Sequence, residues 1–304
     1  MASLRIIGQA FDNELEQGFA AIRRELEVPA SFPKAVVAEA EAVTTRGPLV
    51  PPGANTHVVD RTDLALLTID PPGSIDLDQA FAAERHQDGY RVWYAIADVA
   101  SFVAPGGALD TEARSRGVTL YSPDHRASLH PKTLNESAGS LLAGTIKPAV
   151  LWEIELDADG HQTTATARRA MVRSCEQLTY RQAQDRIDGN DGTVSLELLR
   201  EIGKLRQQIE ANRGAISLQL PAQEISPRGD GDYELHYDTS MPVEGWNAQI
   251  SLLTGMAAGQ IMVEAGHGLL RTLPPLEKGT VKQVRRAARA LDVDWPDGVS
   301  YPDR

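Results

Sequence analysis

Phe11, Leu15, Phe19, Ile22 and Leu26 recur at helical spacing, while Asp12, Glu14, Glu16, Arg23, Arg24 and Glu25 fall largely outside that stripe. The pattern predicts an amphipathic helix over residues 11 to 26. A second, shorter helix is expected from Pro33 to Val43, since proline suits a first helical turn. The stretch Arg46–Gly53, RGPLVPPG, is rich in proline and glycine and reads as a linker. From Thr62 the period changes to that of strands. Leu64–Ile69, Ala80–Glu84, Tyr90–Val99, Ala149–Leu156 and Thr163–Arg173 read as strands. HQDG at residues 86 to 89 and the turn Asp157–Gly160 supply hairpin chemistry between neighbours. A Gly-rich turn, Pro105–Gly107, precedes a helix near Leu109–Arg116. Helices then dominate, over Tyr180–Ile187, Leu196–Arg213, Trp246–Ala265 and Thr280–Leu291. Strands grouped early and helices grouped late predict an α+β fold rather than a doubly wound sheet. No internal repeat interrupts this order.

Composition narrows the class. The chain has 304 residues, 42% of them hydrophobic and 24% charged, which supports a sizeable core and excludes disorder, collagen and coiled coil. Its 30 basic residues against 42 acidic ones leave a net charge of −12. Such a balance argues mildly against a nucleic-acid partner, but metal-binding carboxylates count as negative while their ions invert the local field. Cys175 is the single cysteine, so there is no intramolecular disulfide and no cysteine-based zinc site, as suits a reducing compartment. No apolar run approaches the ~20 residues of a membrane span. The first residues lack the marks of a leader or transit peptide. A cytoplasmic protein without a membrane partner is expected.

The chemistry concentrates in TIDPPGSIDLDQA, residues 68 to 80. Asp76 and Asp78 are two apart, so in extended backbone their side chains face the same way. Asp70 can fold back onto that side across Pro71, Pro72 and Gly73. Carboxylates held together raise one another's pKa unless a cation relieves them. Hard oxygen ligands without His or Cys suit Mg²⁺ or Mn²⁺. Two such ions, about 3.5–4 Å apart, would activate water and stabilise a leaving oxygen in phosphodiester cleavage. The alternative is an acidic surface loop, because Asp, Pro and Gly are ordinary turn residues.

That loop resembles the Asp-x5-Asp-x-Asp-Asp signature of the ribonuclease II/R family, in its RNB catalytic domain. The blocks at residues 94 to 124 (YAIADVASFVAPGGALDTEARSRGVTLYSPD), 129 to 144 (LHPKTLNESAGSLLAG), 149 to 160, 172 to 184 and 213 to 221 (RGAISLQLP) are similar to the family in order and spacing. The resemblance runs from about Thr62 to about Leu291. It implies processive, magnesium-dependent hydrolysis of single-stranded RNA from the 3′ end, releasing nucleoside 5′-monophosphates. Asp70 and Asp76 fall on family metal ligands, and Asp78, expected to share in metal binding, falls on the carboxylate whose loss most damages catalysis. Tyr121 falls on the tyrosine that packs against terminal bases, where a ring offers a sequence-tolerant stacking face; by itself a tyrosine after a turn also suits half-buried packing. Arg114, Arg116, Arg126 and Lys132 could line a phosphate-tracking groove, or Arg114 and Arg116 could form a solvated helix face. Lys282, Arg285, Arg286 and Arg289 read as the solvated face of an amphipathic helix.

The chain also departs from the pattern. Gln79 stands at the fourth acidic position, and Ala248 and Gln249 stand where the family usually has glutamates. The arginine-rich segment that follows in the family, and an S1-type domain, are missing, and no cold-shock barrel precedes. The expected organisation is a helical N-terminal segment (1–43), a linker (44–61) and an RNB domain (62–304) that is C-terminally incomplete. A catalytically weak or inactive RNA-binding homologue is the alternative reading.

Overall fold

The computed structural model describes residues 4–5, 14–49, 58–215, 222–227, 233–238, 240–272, 277–296 and 299. After a two-residue strand β1 (Leu4–Arg5), the first stripe forms helix α1 (Glu14–Glu25). The expected start at Phe11 lies outside the described residues. Phe19 meets Tyr233 edge to face, ring centroids 5.3 Å apart. Leu15, Ile22 and Leu26 stay exposed, so the stripe is not the core face that its periodicity predicts. Helix α2 (Lys34–Arg46) starts directly after Pro33 and stops at Gly47, whose φ of 86° terminates it. It buries Val36, Ala40 and Val43 against Phe102, Leu109, Leu134 and Ala138, which ties this helix to the body of the protein. The linker reading Arg46–Gly53 falls partly outside the described residues.

The next strands are β2 (Val59–Asp70), β3 (Gln79–His86) and β4 (Gly89–Ala97). Helix α3 (Ala108–Arg116) and a small hairpin, β5 (Leu120–Tyr121) with β6 (Arg126–Ala127), follow before β7 (Ile146–Leu156) and β8 (Gln162–Thr179). Strands β2, β3, β4, β7 and β8 close into a barrel. Each neighbouring pair is antiparallel except β2 with β8. Five alternating strands oblige that result, because the first and the fifth then run the same way. The first half of β8 pairs with β7 and its second half with β2, with register shifts in β2 between Arg61 and Leu67; such irregularities let a strand bend around a closed sheet.

Alternation along the strands divides the core in two. Leu66, Ala80, Ala82, Ala95, Ala149 and Ala170 belong to one cluster drawn from all five strands. This is the barrel interior, and its alanines fit because a five-stranded barrel leaves little room inside. Their neighbours Leu67, Phe81, Tyr94 and Ile154 face outward and pack against the helices. Those helices are α4 (Tyr180–Asp188), α5 (Val194–Asn212) and α6 (Pro242–Glu264). Thr179 starts α4 with a capping box: its hydroxyl accepts from the Gln182 N–H at 3.1 Å, and the Gln182 side chain accepts from the Thr179 N–H at 2.8 Å. Between α5 and α6 lie β9 (Ala222–Pro227) and β10 (Tyr233–Asp238), which with β1 form an antiparallel sheet, order β1-β10-β9. The sequence pattern does not predict that sheet. Helix α7 (Lys278–Ala290) buries none of its residues, in keeping with the solvated face read from its basic residues. No described helix is long and apolar enough to cross a membrane.

Candidate active site

Strand β2 ends on buried Leu67, Thr68 and Ile69, which delivers Asp70 to the barrel rim. Pro71 and Pro72 then turn the chain, and Gly73, at φ 82°, takes the left-handed conformation that favours glycine. The loop is pinned by one residue. Leu77 is wholly buried, its N–H donates to Ser140 Oγ at 2.9 Å and its carbonyl accepts from the Leu141 N–H at 2.9 Å. Ser140 Oγ also donates to the Ile75 carbonyl at 2.8 Å. With Leu77 turned into the core, its neighbours Asp76 and Asp78 face the opposite way together. The Asp-Leu-Asp spacing thus has a packing cause.

The charges are strained. One Asp70 carboxylate oxygen is buried without a hydrogen-bond partner. Burial, then Asp78, then Asp76 push the Asp70 carboxyl up to about 6. Burial and then Asp76 raise the Asp78 carboxyl as well. Asp76 is relieved by Arg126, whose Nη1 donates to Asp76 Oδ2 at 2.9 Å, while the other end of the same guanidinium pairs with Glu136. As they stand, no three acidic, histidine or cysteine side chains among the described residues converge closely enough to grip an ion. The donor set nevertheless fits a hard divalent cation: all ligands are oxygen, one is orphaned, and two carboxylates hold protons against their own repulsion. Asp70 and Asp78 are poised for such an ion, and Asp76 can join once Arg126 lets go.

The sign of the resulting pH dependence is defined. An acid whose folded pKa is raised binds protons better when folded, so without metal its contribution to stability falls as pH rises from its ordinary value through about 6. A bound cation replaces the proton and removes that penalty. Millimolar Mg²⁺ or Mn²⁺ should therefore raise the melting temperature at pH 7.5, and the gain should shrink as pH falls through about 6. Thermal melts across this range, with and without metal, test it; an unchanged melt at pH 7.5 defeats the metal assignment.

Tyr121 lies on the hairpin directly opposite Arg126 and is 73% exposed. Its ring is thus an open face beside the arginine that touches Asp76. The other arginines separate. Arg114 pairs with Asp110 one turn back and projects into solvent. Arg116 corrects the phosphate-groove expectation: it stacks on Phe32, 3.7 Å from the ring centroid, and donates to Glu112 and to the carbonyls of Ser31 and Ser128. Its donors hold α3 to the chain ahead of α2. Asp98, in one of the family-like blocks, is buried with Arg169, Oδ2 to Nε 3.4 Å.

Sequence reasoning missed the residues behind Asp70. Gln79 Oε1 accepts from the Tyr94 hydroxyl at 2.8 Å. Tyr94, pushed up to about 12 chiefly by burial, also bonds Ser251, and Tyr180 bonds Asn247. Asp70, Gln79, Tyr94, Tyr180 and Asn247 line a cavity of about 40 Å³. The available signal was the polar pair Asn247 and Ser251, one turn apart on a helix whose Trp246, Ile250 and Leu253 are buried. Gln249, at one missing-glutamate position, is buried and donates to Glu210 at 2.5 Å. The block RGAISLQLP lies mostly outside the described residues.

A barrel with a cluster of carboxylates at its rim and an exposed tyrosine beside them defines a class of single-strand nuclease domain. The RNB domain model matches residues 58–296, and the chain belongs to that family of ribonucleases. An uncharacterised ribonuclease of Synechocystis is 29% identical over 245 residues, which cover 80% of this chain and 36% of that protein. Two Arabidopsis thaliana proteins, DIS3-like exonuclease 2 and the inactive exonuclease DIS3L2, are each 36% identical over 181 residues, 53% of this chain and 17% of theirs. The fold matches that of Mycoplasma genitalium RNase R in complex with ribose-methylated single-stranded RNA, TM-score 0.84 at 20% identity, over 96% of this chain and 47% of that one. The chain thus spans about half or less of the proteins it matches.

Proposed function

We propose that this protein is a magnesium-dependent exoribonuclease that shortens single-stranded RNA from the 3′ end and releases nucleoside 5′-monophosphates. The observation that carries the reading is the rim cluster Asp70, Asp76 and Asp78, with an orphaned oxygen and raised carboxyls, beside the exposed ring of Tyr121. Tyr121 would stack on a terminal base, which orients the last phosphodiester without reading sequence. Arg126, released from Asp76, would be free to meet a phosphate. Asp70 and Asp76 would hold the metal, and Asp78 would hold it while positioning the attacking water; in nucleases of this kind the ion acidifies water and neutralises charge on the leaving oxygen. RNA binding by the M. genitalium relative supports the substrate class. In this reading the catalytic unit is residues 62–304, the compartment is the cytoplasm, and Arg114 is a peripheral phosphate contact.

A second reading, an RNA-binding homologue with little hydrolysis, has specific support. Gln79 is neutral and its carbonyl is engaged by Tyr94, and Gln249 is bonded to Glu210. One experiment separates the two: 5′-labelled single-stranded RNA is incubated with the protein, with Mg²⁺ or with chelator. A ladder shortening from the 3′ end only with metal supports the exonuclease. Intact RNA that nonetheless shifts on a native gel supports the second reading.

A further inference from the structure

Helix α1 and the turn of the β5–β6 hairpin enclose a cleft of about 620 Å³, whose lining includes Gln17, Ala20, Arg23, Arg24, Val28 and His125. Its size falls within the range of small-ligand and nucleotide sites. Two arginines enter it, and they have different work. Arg23 holds the hairpin, its Nη1 2.5 Å from Asp124 and 3.3 Å from Ser122 Oγ. That contact cancels the acidic charge at the hairpin turn. Arg24 donates one N–H to the Ala20 carbonyl, 3.3 Å away and one turn back, and pairs with no carboxylate among the described residues. Its guanidinium is therefore open to an anion.

The cleft is continuous with the site already described. His125 and Arg126 are adjacent, so their Cα atoms are ~3.8 Å apart. Arg126 reaches Asp76 on one side of the hairpin, while His125 lines the cleft on the other. Tyr121, opposite Arg126, is the exposed ring between the two. A flat imidazole, an apolar floor at Ala20 and Val28, an amide at Gln17 and an unpaired guanidinium together match one nucleotide: a base to stack and a phosphate to neutralise.

We infer that this cleft is a second RNA-contacting site, which takes an upstream nucleotide of the strand whose 3′ end lies at the acidic loop. Arg24 meets the phosphate, His125 stacks on the base, and Arg23 positions the hairpin that joins the two sites. The inference rests on the RNA reading above and adds a footprint to it.

The test is binding by fluorescence anisotropy to the full chain in chelator, where no hydrolysis intervenes. Single-stranded RNAs of about 4 and about 12 nucleotides span the footprint of one site and of two. For Arg24→Gln, affinity for the short RNA should be unchanged and affinity for the long RNA about threefold to tenfold weaker. The slope of log affinity against log salt for the long RNA should fall by about 0.7, one lost phosphate contact on a single strand. His125→Ala should weaken only the long RNA and leave the salt slope intact, since it removes a stacking face and no charge. Both side chains are exposed, and unchanged melts would confirm that the variants fold. If Arg24→Gln binds the long RNA as wild type does, with the same slope, the site is overturned. It is equally overturned if wild type binds both lengths alike. If wild type binds neither RNA, the underlying RNA reading fails.

Discussion

Asp78→Asn is expected to lower hydrolysis of single-stranded RNA by about a hundredfold or more while RNA affinity stays within about twofold. Asp78 faces the same side as Asp76 because Leu77 between them is buried, and its carboxyl is already raised by burial and by Asp76. Asparagine keeps the shape and the loop packing and removes the charge. Charge at that point acts on the transition state, where negative charge develops on the attacking and leaving oxygens. Affinity instead comes from stacking at Tyr121 and from phosphate contacts spread along the strand. Single-turnover cleavage of labelled RNA, set beside binding in chelator, measures both quantities. A variant that keeps most of its activity removes Asp78 from the reaction. A wild type that binds RNA and is as inert as the variant moves the protein to the RNA-binding reading.

Gly203→Ala should destabilise the fold by about 1–3 kcal/mol, although alanine is the better helix former by ~1 kcal/mol. Gly203 lies on α5 against Trp246 of α6, and a Cβ there would come within 2.4 Å of Trp246 Cβ and 2.8 Å of its Cα. Backbone cannot swing aside as a side-chain tip can, so the two helices must part. Trp246 directly precedes Asn247 on the wall of the cavity behind Asp70, and the displacement therefore reaches the site. Gly255→Ala, on α6, meets nothing within 4 Å and should stabilise by about 0.5–1 kcal/mol. Urea midpoints of the two variants, taken at equal m-values, form an internally controlled pair. A neutral Gly203→Ala would mean that α5 and α6 are not packed as closely as this.

Local chemistry in the sequence determined the elements and one face of each. The hairpin turn at residues 86 to 89, the helices α3, α4, α5 and α6, and the outward pairing of Asp76 with Asp78 all follow from periods and turn residues that act within a few positions. The acidic loop was legible for the same reason, because a two-residue spacing in extended chain already puts both carboxylates on one side. Partnership was not legible. Closure of the barrel rests on β2 pairing with β8, Asp70 opposite Thr179, over a hundred residues apart. Periodicity says which side of a strand is apolar, not which strand lies beside it. The sheet β1-β10-β9 escaped notice on the same ground: short polar strands acquire identity only from their neighbours. Arg114, Arg116 and Arg126 look alike in a sequence, yet one points to solvent, one is closed over Phe32 and one bridges Asp76 and Glu136. A guanidinium's role is set by whichever carboxylates, rings and carbonyls the fold brings within ~4 Å, and only the tertiary structure decides that.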